Sequence, residues 1–154
     1  MTLPINFILE DGLDENSFLP SEDLLIAAAK IALQKKNNSS EISIKIVNSE
    51  TIKKLNHTYR KKDKVTNVLA FPMINDNEDD EFNDYLGDIA ICQQVVNNEA
   101  KTAEISYDQH WSHMIIHATL HLQGYDHQND SEANTMEQKE IELMQQLGYP
   151  SPYK

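Results

Sequence analysis

Apolar and polar residues alternate strictly over Glu41–Val47: Ile42, Ile44 and Ile46 fall on one face, Glu41, Ser43 and Lys45 on the other. A period of two predicts a half-exposed strand. Residues 4–9 read as an earlier strand, and residues 21–36 as a helix in which Leu24, Ala28, Ile31 and Ala32 recur at helical spacing until Asn37 and Asn38 end it. Asn48 or Ser49 can cap a helix running to about residue 59, with Ile52 and Leu55 among its apolar positions. Residues 67–71 predict a strand stopped by Pro72, and residues 86–92 another, apolar enough to lie centrally in a sheet. The segment between them, residues 73–85, is acidic and without period, which predicts a mobile loop.

Three helices follow. Residues 93–102 form one, and residues 107–123 a second that offers Met114, Ile115 and Leu122 to a core. The third is capped by Ser131 and runs to Leu147, with Ala133, Met136, Leu143 and Leu147 on its apolar face and Gly148 and Pro150 as its stop. The order strand, helix, strand, helix, two strands, three helices predicts an α+β fold: one domain over residues 1–154, a small mixed sheet covered by helices.

The second of these helices carries the chemistry. His117, His121 and His127 stand at offsets of zero, four and ten, with Gly124 at seven. Residues four apart share a helix face, so His117 and His121 can aim two imidazole nitrogens at one point. Gly124 permits the left-handed turn that ends a helix and returns His127 toward the first two. Three imidazoles with a fourth position left to water describe a catalytic zinc site, because structural zinc normally has four protein ligands. The cofactor expected is one Zn2+ per chain. Metzincin proteases share this spacing but place glutamate after the first histidine as general base, and here that position is Ala118. His110 and His113 lie upstream at helical spacing and read as ordinary helix residues, since His127 already completes the set.

Composition narrows the rest. A chain of 154 residues without internal repeats suits one core. Its apolar stretches are short for a membrane span, and its first residues lack the basic start of a secretory signal, so a cytoplasmic protein with no membrane partner is expected. Cys92, the only cysteine, falls in the apolar central strand and reads as core. The net charge of −12 argues at first against a polyanionic substrate. Residues 45–64, however, hold seven lysines and arginines against two carboxylates. A basic island on an acidic body can hold phosphates locally while the body repels nonspecific contacts.

With those segments in place, the chain resembles the bacterial YbeY family of zinc-dependent endoribonucleases. The resemblance rests on Leu55-Asn56 and Tyr59-Arg60 leading into Thr66-Asn67-Val68-Leu69, on Phe71-Pro72, on Leu86-Gly87-Asp88-Ile89, and above all on the run from His117 to His127. It implies a metal set of His117, His121 and His127 and an essential Arg60. It also implies cytoplasmic work on ribosomal RNA of the small subunit, including maturation of its ends and ribosome quality control, with the small ribosomal subunit and its proteins as partners. The chain departs from the family at Ala118 and Lys61, where glycine is usual, at Val65, where proline is usual, and at Ala70, where serine is usual. Lys61 and Val65 alter the loop after Arg60 and bear on substrate preference.

For phosphodiester cleavage, Arg60 offers a planar fork of donors that holds two phosphate oxygens and stays charged. Lys53, Lys54, Lys61, Lys62 and Lys64 would follow the RNA backbone, and Tyr59 would stack on a base. Two other readings remain open from the residues. A metallopeptidase or other metal-dependent hydrolase would need a distant base such as Asp88, and a ribosome-assembly factor would carry structural zinc with a fourth protein ligand. The nucleophile is also open between water and the ribose 2′-hydroxyl.

Overall fold

The computed structural model describes residues 5–33, 41–73 and 85–153. Its elements are β1 (Ile5–Leu9), α1 (Glu22–Ala32), β2 (Glu41–Val47), α2 (Ser49–Arg60), β3 (Val68–Pro72), β4 (Tyr85–Cys92), α3 (Gln93–Ala103), α4 (Tyr107–Leu122) and α5 (Asp130–Gln146). The strands form one mixed sheet in the order β1-β2-β4-β3, parallel through β1, β2 and β4, with β3 antiparallel on β4. The fold is therefore α+β with a small mixed sheet covered by helices, as the element order predicts.

The alternation in β2 sorts the core. Ile42, Ile44 and Ile46, with Ile89 and Ile91 of β4, face the larger apolar cluster with α1, α4 and α5. Val47, Ala90 and Cys92 face the other side, where Ile52 and Leu55 of α2 cover them. Cys92 is buried in that second cluster, as its apolar run implies. Helix α4 lies on the larger face, in contact with α1, α3, α5 and strands β3 and β4. Trp111, Ile115, Ile116 and Leu120 are fully buried there, so the metal-motif helix is a core helix rather than a surface one.

Several boundaries shift for local reasons. Helix α1 begins behind Ser21, whose hydroxyl accepts from Leu24 N, and it ends at Ala32 rather than Lys36, with Leu33 already extended. The expected stop at Asn37 and Asn38 lies outside the described residues, as does most of the acidic segment expected to be a mobile loop. Asn48 rather than Ser49 caps α2 through Thr51 N. Pro72 does not stop β3 but ends it inside the ladder, paired with Gly87. Strand β3 is a sheet edge, where a missing N–H costs no ladder bond on the outer side. Asn129 rather than Ser131 caps α5, accepting from Glu132 N at 2.8 Å.

No helix among the described residues is long and apolar enough to cross a membrane.

Candidate metal centre

The end of α4 is built as the spacing requires. Gly124 adopts φ 101°, Gly124 N donates to His121 O at 3.1 Å, and Tyr125 N donates to Leu120 O at 3.2 Å. These are the paired bonds of a helix closed through a left-handed residue. The chain then passes through His127 to the Asn129 cap of α5. His127 is thus held in a short connection between two packed helices. The rings of His117 and His121 lie 4.7 Å apart between centroids, His121 and His127 5.0 Å, and His117 and His127 5.8 Å.

One ring nitrogen from each of the three lies within 4.8 Å of the others, an arrangement that could hold a metal ion. At Zn–N bonds of about 2.0–2.1 Å, three nitrogens on one ion stand no more than about 4 Å apart, so small side-chain rotations close the site. Burial first, and then the neighbouring imidazoles of His117 and His127, push His121 down to about 4. Near neutral pH its lone pair is therefore free for a cation. The donor set fits a divalent metal.

The three histidines line a cavity of about 540 Å³ whose facing wall comes from Arg60 and from Thr66, Asn67, Val68, Ala70 and Pro72. Arg60, at the end of α2, is exposed and close enough to oppose a positive charge on His121. Ala118 also borders this cavity and is 1% exposed, leaving no carboxylate directly after the first histidine.

The other expected substrate contacts are arranged less tightly. Lys53, Lys54, Lys61, Lys62 and Lys64 are exposed, and none of them lines the cavity of the histidines. Tyr59, 65% exposed, turns to a second cavity of about 500 Å³ and packs edge-on against Phe71 at 5.1 Å. Asp88 lines that second cavity as well, beside Ser43 and Lys45, and bonds the Tyr85 hydroxyl. The idea that Asp88 acts as a distant base for the histidine site is therefore corrected by its position. Lys61, where the family resemblance implies glycine, caps α2 with φ 61°.

Glu140 escaped the sequence reading. It lies on α5 with 1% exposure, between Met136 and Leu143 on the buried face. Its Oε1 is 2.6 Å from His113 Nε2 and 3.2 Å from His117 Nδ1, and Tyr153 Oη donates to its Oε2 at 3.0 Å. Burial alone would raise this carboxyl; the hydrogen bonds from His113 and His117 outweigh it and hold Glu140 at about 2. Burial and the carboxylate of Glu140 push the Tyr153 phenol up. His113 is thus no ordinary helix residue, since it shares a buried carboxylate with His117. The one signal in the sequence was a glutamate at a helical apolar position.

Comparison with known proteins adds four findings. The sequence profile of Endoribonuclease YbeY matches residues 16–148. The chain is 42% identical over 154 residues to an Endoribonuclease YbeY of Francisella tularensis subsp. holarctica (strain FTNF002-00 / FTA), covering 98% of this chain and 93% of that protein. The Endoribonuclease YbeY of Francisella tularensis subsp. novicida (strain U112) is 42% identical over 143 residues, covering 91% and 88%. Among solved structures, the solution structure of TM1509 from Thermotoga maritima superposes with a TM-score of 0.61 at 24% identity, over 97% of this chain and 99% of that one. That likeness concerns the fold.

Proposed function

Because the chain belongs to the Endoribonuclease YbeY family, we propose that it is a single-strand-specific, zinc-dependent endoribonuclease acting on ribosomal RNA of the small subunit, in its maturation and in ribosome quality control. The observation that carries this reading is the cavity that brings Arg60 to the same space as His117, His121 and His127. A guanidinium beside a metal suits a phosphodiester, because its planar fork matches two phosphate oxygens.

In this reading His117, His121 and His127 hold one zinc ion. When bound, it would acidify a water and polarise a phosphoryl oxygen. Arg60 binds two oxygens of the scissile phosphate and opposes the charge that grows on them in the transition state. The wall formed by Ala70 of β3 and by Asn67 just before it limits how the RNA lies against α4. The exposed lysines on α2 and the loop after it hold flanking phosphates, outside the cavity and without reading sequence. The partners are then the small ribosomal subunit and its proteins, and the compartment is the cytoplasm.

Two measurements on the purified chain test this together: metal content by elemental analysis and cleavage of single-stranded RNA. One zinc per chain and cleavage that both disappear in His121→Ala are expected. A His121→Ala protein that keeps stoichiometric zinc would refute the ligand set, and a zinc-loaded wild type that leaves RNA intact would refute the activity.

A further inference from the structure

We propose that Glu140 is the positioning residue of the metal centre: its carboxylate fixes the tautomer and aim of His117, and Tyr153 and His113 lock that carboxylate in place. The inference rests on His117, His121 and His127 being the metal ligands.

An ionised carboxylate has acceptors only, so each close contact assigns a hydrogen. At 3.2 Å from Glu140 Oε1, His117 Nδ1 is placed to donate its ring proton there, which leaves the lone pair on Nε2. That is the tautomer a ligand needs, and a carboxylate behind the ring also makes Nε2 more basic toward a cation. At 2.6 Å from the same oxygen, His113 Nε2 is likewise a donor. The Tyr153 hydroxyl supplies the third, at 3.0 Å from Oε2 and 3.2 Å from Oε1. Among the described residues, His117 is the only one of the three metal-site histidines whose ring is hydrogen-bonded to a carboxylate.

The energetics point the same way. Glu140 occupies an apolar stripe with Met136, Leu143 and Met144. Desolvating a carboxylate there costs several kcal/mol before its partners compensate, and a well-packed apolar residue generally serves stability as well or better. Stability alone does not account for a charge at this position. Its contact with a metal-site ring does, because that ring loses its orientation without it. Tyr153, from the segment after α5, and His113, one turn before His117 on α4, hold the same carboxylate from two further directions. Helix α4, helix α5 and the segment after it thereby meet at one carboxylate.

The test uses the full-length, metal-stripped protein with zinc as the probe. Zinc affinity is measured by competition with a chromophoric chelator, and the histidine tautomers by nitrogen-15 NMR of the rings. The wild-type protein should show His117 protonated on Nδ1. Glu140→Gln should weaken zinc by about 10–100-fold, and Tyr153→Phe should weaken it by less while leaving the His117 proton on Nδ1. A His117 proton on Nε2 in the wild type would overturn the proposal, as would a folded Glu140→Gln protein with wild-type zinc affinity. If Glu140→Gln does not fold, the wild-type ring pattern decides alone. Zinc retained by His121→Ala would instead remove the ligand set itself, so the two failures are distinguishable.

Discussion

Gly87 on β4 lies so close to the carbonyl oxygen of Phe71 on β3 that a Cβ at Gly87 would fall far inside van der Waals contact, and Leu122 Cδ2 of α4 would stand only 2.9 Å from it. Gly87 also adopts φ 144°, a region that favours glycine. Strand β3 and helix α4, which line the metal cavity, therefore meet β4 where a side chain has been omitted. Gly87→Ala must push β3 or α4 aside. A loss of about 2–4 kcal/mol is expected from overpacking and backbone strain together, measured by denaturant unfolding of the metal-free protein. A wild-type midpoint would mean that β3 does not pair with β4 in this register.

Arg60 shares the cavity with the histidines but does not touch the buried core, being exposed at the end of α2. Arg60→Ala and Arg60→Lys should both fold and retain zinc. RNA cleavage by each should fall at least about tenfold, or about 1.4 kcal/mol of transition-state stabilisation. Lysine fails because it keeps the charge and loses the fork. Wild-type turnover by Arg60→Ala would end the role assigned to it.

Lys53, Lys54, Lys61, Lys62 and Lys64 stand outside the cavity and exposed, the placement expected of residues that hold phosphates away from the reacting one. Each lysine-to-glutamine change that removes a phosphate contact should flatten the log-log salt dependence of single-strand binding by about 0.7. Cleavage at saturating RNA should hardly change. If affinity and slope both survive all five changes, the RNA path lies elsewhere on the surface.

Lys61 does double service, as a cation and as the left-handed residue that closes α2, its N–H donating to His57 O at 3.1 Å. A side chain with a Cβ at φ 61° is strained. Lys61→Gly should stabilise the fold by about 1 kcal/mol while weakening RNA binding as its glutamine counterpart does. Thermal unfolding beside the salt titration separates the two effects.

Glu99 on α3 supplies a pH dependence separate from the histidine site. Burial would raise its carboxyl, but hydrogen bonds from His110 and Asn67 outweigh that and hold it below its ordinary value of 4.5. The folded state prefers the ionised form, so on acidification the unfolded chain takes up the proton first. This contribution is complete above about 4.5 and is lost as pH falls through the lower folded value. Glu99→Gln should therefore flatten the fall of melting temperature below about pH 4.5. An unchanged acid limb would show that the His110 and Asn67 contacts carry no stability.

The metal motif was legible because it is local. His117 and His121 are related by one helical turn, Gly124 by the closure of that helix, and His127 by the short connection that follows. The strand period of Ile42, Ile44 and Ile46 was legible for the same reason, since side-chain direction along a single element depends only on its own backbone. The long-range pairings were not. Whether Pro72 stops a strand or ends one in register depends on β3 lying at a sheet edge opposite Gly87. Asp88 and Arg60 look equally available in the linear chain, yet the sheet assigns them to different cavities. Glu140 could not be connected to His117 by any period, because the two are 23 residues apart on helices whose contact exists only once the core has formed. Sequence determined which imidazoles converge, since rotation along one helix and the glycine turn that closes it do that. Tertiary packing decided what stands behind them and what faces them, since those contacts form only when separate elements bury their apolar faces together.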